Sequence, residues 1–236
     1  MKTKKPNIHE GHRHRMRERY AEQGVDGFRD HELLELLLSF SIAQKDTNPL
    51  GHALIERFGD LRGVLNAEPA ELLKVPGIGE TSASLIKLIP GLTRRYYEQL
   101  SNSADRMENT AKQMEFFIPR FIGRKRECLY AAFLDKNYRL IKCELQYEGS
   151  IDAVEIHHGR ITNNALISGA SKVIIAHNHF ADAAPSSADK DATELLREQL
   201  YLHGIVLLDH IIVCGTTAVS AKESGMYNPP IQPKQS

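Results

Sequence analysis

The sequence predicts an α+β protein of two domains, a small all-α bundle followed by an α/β sandwich. Three observations predict it. From Asp30 to about Leu100 the apolar residues recur at helical spacing in short segments broken by Gly and Pro. A polar stretch, Asn102 to Ala111, then interrupts the pattern. After Cys128, β-branched apolar runs alternate with amphipathic helical ones, the signature of strands layered with helices.

In the first domain, Asp30 caps a helix whose Leu33, Leu34, Leu37 and Leu38 form one stripe. Pro49 to Phe58 gives a second helix, stopped at Gly59. Asp60 to Leu65 and Pro69 to Leu73 are short helices, and Thr81 to Ile89 another, closed by Pro90-Gly91. Helices this short are unstable alone and must pack together. In the second domain a helix is expected near Met114 to Ile122, then strands at Cys128 to Leu134 and Tyr138 to Tyr147. A helix over Ile161 to Gly169 follows, then apolar strands at Lys172 to His177 and Ile205 to Cys214. Between those strands, Ala192, Leu195, Leu196, Gln199, Leu200 and His203 mark an amphipathic helix from Asp189, ended at Gly204. The expected organisation is a basic flexible tail at 1–20, a helical domain at 21–101, a linker at 102–112, a mixed α/β domain at 113–228 and a short tail at 229–236.

The chain has 236 residues, 42% of them hydrophobic, enough to bury a core and to exclude wholesale disorder. Thirty basic residues balance thirty acidic ones, so any nucleic-acid contact must come from a local patch. Cys128, Cys143 and Cys214 form no CxxC pair and lie in apolar runs, where they read as buried small hydrophobes. No apolar run is long enough to cross a membrane and the N-terminus lacks the apolar core of a signal peptide; a cytoplasmic protein is expected. Lys2, Lys4, Lys5, Arg13, Arg15, Arg17 and Arg19 face only Glu10 and Glu18, which makes the tail either a solvated segment or a phosphate-seeking arm.

Two constellations carry chemistry. Val75-Pro76-Gly77-Ile78-Gly79 joins two helices by a tight turn. Its backbone amides, together with a helix dipole, suit a phosphate oxygen, and Gly77 and Gly79 let another chain approach. Lys74 and Lys87 stand nearby. The alternative is a connector used only for packing. In the second domain, Val173 to Ala176 is a buried strand that runs into His177-Asn178-His179. Side chains two apart on a strand share a face, so both imidazoles can reach one ion. Pro185-Ser186-Ser187-Ala188-Asp189 follows at the start of the amphipathic helix, where Ser186 and Asp189 suit capping. Two His and one carboxylate also make a catalytic zinc set with the fourth position left to water.

The turn Val-Pro-Gly-Ile-Gly resembles the helix-hairpin-helix DNA-binding motif, which grips phosphates without reading bases. The whole chain, from about Arg15 to Gly225, resembles the RadC family, which joins such a region to a JAMM (MPN-type, cytidine-deaminase-like) domain. The resemblance rests on His177-x-His179 with Ser186-x-x-Asp189. It also rests on Arg126-Glu127, Ala132 to Asp135, Gly149-Ser150, His157 and Asp209 to Val213, with Ser220 and Gly225. In the first domain Glu32 to Leu34, Phe58 to Leu61 and Gly77 to Gly79 match as well.

The resemblance implies a metallopeptidase or isopeptidase in which a metal-activated water attacks an amide carbonyl and a glutamate takes its proton. It implies one zinc ion on His177, His179 and Asp189, and an oxyanion-stabilising role for Ser186. For the general base it points to Glu144, on the preceding strand, with Glu148 and Glu155 as alternatives. Lys74, Gly77, Ile78, Gly79 and Lys87 would meet the DNA backbone. A non-catalytic role in repair or recombination is the competing implication, and phosphodiester cleavage a third. The chain departs from the family after His179: Phe180, Ala181 and Asp182 replace Pro, Ser and Gly, and the loop is one residue shorter. Asp182 then stands as an alternative or supporting carboxylate.

Overall fold

The computed structural model describes residues 8–43, 45–100, 106–149 and 154–227. It divides into two compact units, residues 1–92 and 93–236, and the division falls inside one helix. Lys2, Lys4, Lys5, the stretch from Asn102 to Asp105, Ser150 and the C-terminal tail from Asn228 lie outside the described residues, as do the side chains of Glu155 and His157.

The first unit is helical. Its elements are α1 (Ile8–Gln23), α2 (Asp30–Ser41), α3 (Asn48–Phe58), α4 (Leu61–Asn66), α5 (Pro69–Leu72) and the first part of α6 (Glu80–Leu100). Leu34, Leu38, Leu54, Val64, Leu72, Val75, Ile78 and Ile86 close over one another as its core; of the predicted α2 stripe, Leu34 and Leu38 are buried there and Leu37 packs against it, while Leu33 is only half-buried. α2 and α3 approach so closely that a Cβ on Gly51 would stand 2.3 Å from the main-chain oxygen of His31.

Two expectations fail here. The basic segment from Ile8 to Tyr20 is not a tail but most of α1. Several of its side chains contact the bundle: Arg13 donates to the carbonyls of Ala43 and Lys45, Arg19 pairs with Glu32 at 2.9 Å, and His12 meets buried Glu35 at 2.7 Å, while Arg15 and Arg17 stay exposed. Nor does Pro90 close a helix, since α6 runs on to Leu100. A proline removes one backbone donor but leaves the chain helical when packing holds it. Pro90 and, one turn earlier, Ile86 are both buried.

The second unit is a five-stranded sheet in the order β2-β1-β3-β4-β5, helices on both faces. β1 (Cys128–Leu134) is antiparallel to β2 (Leu140–Glu148) and to β3 (Lys172–Asn178). β4 (Val206–Cys214) runs parallel to β3, and the short β5 (Thr217–Ser220), not expected from the sequence, pairs antiparallel with β4. Strand alternation sorts the core. Tyr130, Ala132, Ile174 and Ala176 pack toward α7 (Thr110–Phe117), while Ala131, Phe133, Val173 and Ile175 pack toward α8 (Val154–Ile167) and α9 (Ser187–Leu202). His177 continues the second set and so faces the α8–α9 layer.

The β3–β4 register shifts after Val173, so that Val173 pairs with Leu207 but Ile174 with Asp209. The extra residue in β4, Leu208, is a bulge, and bulges re-aim side chains. Here it turns His210 to the face that holds His177. All three cysteines are unpaired, and burial pushes the Cys143 thiol up to about 11, in keeping with an inert hydrophobe. No helix among the described residues is long and apolar enough to cross a membrane.

Candidate metal centre

The carboxyl end of β3 and the amino end of α9 meet at one point. His177 and His179 leave the same strand face, and α9 brings Asp189 in its first turn. His177 Nε2 lies 2.7 Å from His179 Nε2 and 3.0 Å from Asp189 Oδ1, and His179 Nε2 lies 3.4 Å from Asp189 Oδ2. Zinc bonds of about 2.0–2.1 Å in a tetrahedron set neighbouring ligand atoms about 3.3 Å apart. The three contacts are close to that size, and the two imidazole nitrogens with the Asp189 carboxylate form a donor set that zinc accepts. His177 and Asp189 are buried, whereas 18% of the His179 side chain stays exposed, so the centre opens to solvent on the His179 side.

Asp189 is held as tightly as a cap can hold it. Ser186 is the N-cap: its hydroxyl donates to Asp189 Oδ2 at 2.6 Å, its N–H donates to the same oxygen at 2.7 Å, and Asp189 N–H donates back to Ser186 Oγ at 3.1 Å. This reciprocal box leaves Oδ1 for His177. Burial opposes the charged form of Asp189, but the neighbouring His177 and the hydrogen bonds from Ser186 outweigh it and hold the carboxyl well below the usual carboxylate range. Asp182 is not part of the cluster; its Oδ1 accepts from Ala184 N–H at 2.8 Å and shapes the shortened loop.

Behind the three candidate ligands the network continues. His177 Nδ1 lies 2.7 Å from His210 Nε2, and Thr193 Oγ1 lies 2.6 Å from His210 Nδ1. Burial, with the nearby His177, pushes the His210 imidazole well below its ordinary range.

The structure does not bring Glu144 to the triad. It sits on β2 opposite Ala131, with β1 between it and β3, and its carboxylate meets Lys142 Nζ at 3.2 Å. Glu148 pairs with Arg124 at 2.9 Å. Glu127 is placed differently. Leu129 pairs with His177, so the start of antiparallel β1 reaches the end of β3 that carries the histidines. Glu127 lines a cavity of about 60 Å³ together with His177, Asp189 and His210, its remaining wall largely apolar (Leu129, Ile161, Leu196). The signal in the sequence was a glutamate just ahead of a buried strand; the antiparallel pairing that gives it meaning is not local.

The hairpin of the first unit forms between α5 and α6. Gly77 takes φ 98°, which a side chain rarely adopts, and a Cβ there would meet Leu50 at 2.8 Å. Ile78 is buried in the helical core, so its side chain anchors the turn. Gly79 precedes the first residue of α6 and accepts the Ala83 N–H at 2.9 Å, and a Cβ there would have open space. Lys74 is paired with Glu71, and Lys87 donates to the Leu65 carbonyl at 2.6 Å.

Comparison with known proteins agrees with this division. Residues 107–226 match the family described as RadC-like JAB domain, and residues 9–84 match the one described as UPF0758 N-terminal. A UPF0758 protein of Bordetella parapertussis is 36% identical over 210 residues, covering 89% of this chain and 93% of its own length. One from Stenotrophomonas maltophilia is 33% identical over 222 residues, covering 93% and 94%.

Proposed function

The chain belongs to the RadC-like JAB domain family, and from that membership and the geometry of the centre we propose that it is a zinc-dependent hydrolase of amide or isopeptide bonds. The observation that carries the reading is the convergence of His177, His179 and Asp189, with Glu127 lining the same cavity as His177 and Asp189. Zinc held there supplies a Lewis acid that polarises a carbonyl and acidifies a water. Glu127 takes the proton of the attacking water on its carboxylate and returns it to the leaving nitrogen. Ser186 turns its hydroxyl toward the developing oxyanion while its N–H keeps Asp189 Oδ2 anchored.

Elemental analysis of the full chain, purified without chelator, is expected to give one zinc per chain. The His177→Ala, His179→Ala double variant is expected to carry none, and a zinc-loaded wild type to cleave peptide or isopeptide substrates that the double variant leaves intact. Wild type without metal at every stage of purification would sink the proposal.

A second reading has its own observation, the open approach to the α6 amino end at Gly79. We propose that this helix-hairpin-helix turn grips a DNA phosphate through backbone amides rather than through Lys74 or Lys87, whose ammonium groups are engaged within the unit. Gly79→Asp supplies an N-cap carboxylate that competes for those amides, a charge-assisted contact. It is expected to weaken duplex binding at low salt by about tenfold, with Tm unchanged or raised. Equal affinity of the variant and the wild type in fluorescence anisotropy would refute this mode.

A further inference from the structure

We propose that His210 and Thr193 are positioning residues that fix the ring plane and tautomer of His177, leaving its Nε2 lone pair aimed at the metal; the inference rests on the metal-centre reading above. The argument is a proton count along one chain of contacts. Thr193 Oγ1 lies 2.5 Å from the main-chain oxygen of Asp189 and 2.6 Å from His210 Nδ1. A carbonyl oxygen only accepts, so the single hydroxyl proton of Thr193 goes to Asp189. His210 Nδ1 must then donate to Thr193 Oγ1. A neutral imidazole has one N–H, so His210 Nε2 is a bare acceptor, 2.7 Å from His177 Nδ1, which must donate to it. His177 is left with its proton on Nδ1 and a lone pair on Nε2, the atom that faces His179 and Asp189.

Every member of this chain is buried: Thr193 and His210, like His177 and Asp189, are at most 5% exposed. Burial keeps these groups from bulk solvent, so a broken link leaves an unsatisfied donor or acceptor. The chain starts at the main chain of one metal ligand and ends on the ring of another. It therefore sets the distance between α9 and β3 as well as the tautomer. The bulge at Leu208 is what places His210 in it, because strict alternation from Leu207 would turn that ring to the opposite face.

Support of this kind typically changes metal affinity roughly 10–100-fold when removed. The test is the zinc dissociation constant of the full chain, measured by competition with a chromophoric chelator, for wild type, Thr193→Val, Thr193→Ser and His210→Leu. Thr193→Val keeps the side-chain shape and deletes the hydroxyl; it is expected to weaken zinc binding about tenfold or more, and His210→Leu to do so at least as much. Thr193→Ser restores the hydroxyl and is expected to bind as wild type does. The visible absorption of the cobalt-substituted protein is expected to shift in Thr193→Val and to return in Thr193→Ser. If Thr193→Val lowers Tm but leaves both zinc affinity and the cobalt spectrum at wild-type values, the residues are structural and the inference is overturned. That result would leave the metal centre standing; only a wild type that takes up neither zinc nor cobalt removes both. Thr193→Val decides the matter even if His210→Leu does not fold.

Discussion

Asp189→Asn lowers zinc affinity by more than about 100-fold, beyond what loss of an outer supporting group costs, while leaving the metal-free Tm close to wild type. The asymmetry comes from the two jobs of one carboxylate. Oδ2 receives the N–H and hydroxyl of Ser186 and completes the cap of α9, and Oδ1 faces His177. An asparagine oxygen takes over the cap contacts, but its amide nitrogen has no lone pair to offer a cation. Asp189→Ala loses both jobs. It is expected to match the Asn variant in zinc binding and to lose in addition about 1 kcal/mol of stability, or about 2–4 °C in Tm. Thermal melts with and without chelator, set beside zinc titrations, separate the two contributions. An Asn variant that binds zinc as wild type does would make Asp189 a helix cap and nothing more.

Glu127→Gln lowers the rate of hydrolysis by about 10²–10⁴-fold with zinc stoichiometry intact, and Glu144→Gln stays near wild type. The sheet order dictates the contrast. β1 is the direct neighbour of β3 and β2 is not, so Glu127, just ahead of β1, lines the cavity that His177 and Asp189 line, while Glu144 in the middle of β2 meets Lys142. Glutamine keeps the size and hydrogen-bonding capacity of Glu127 and removes its ability to take a proton. The rate measured on a peptide or isopeptide that the zinc-loaded wild type cleaves therefore reports proton transfer and not packing. A collapse in Glu144→Gln with Glu127→Gln unaffected would return the base to β2.

Much of the second unit was legible because its signals are local. The run Val173 to Ala176 is apolar on both faces, as an inner strand must be, and the two-residue spacing of His177 and His179 follows from the pleat. Ser186 and Asp189 announced a helix start, and the helix starts there. What stayed hidden depends on contacts across the chain. Glu127 gains its place only from the antiparallel pairing of β1 with β3. His210 gains its place only from a register shift that no periodicity displays. In the first unit local signals misled. Pro90-Gly91 reads as a stop, yet burial of Ile86 and Pro90 carries α6 past it. The basic stretch of α1 reads as a solvated segment or a phosphate-seeking arm, yet Arg13, Arg19 and His12 contact carbonyls and carboxylates of the bundle while Arg15 and Arg17 stay exposed.

His177, His179, Asp189, Thr193 and His210 all come from one strand–helix–strand segment, β3 to α9 to β4. Because metal binding is coupled to folding, that ownership has a kinetic meaning. An ion held at the proposed centre would be released if this single segment opened, and the pairing of β1 with β2 need not break for that. Exchange of such an ion is then expected to follow a local opening rather than global unfolding. An ion held this way bolts one segment shut without hardening the whole sheet.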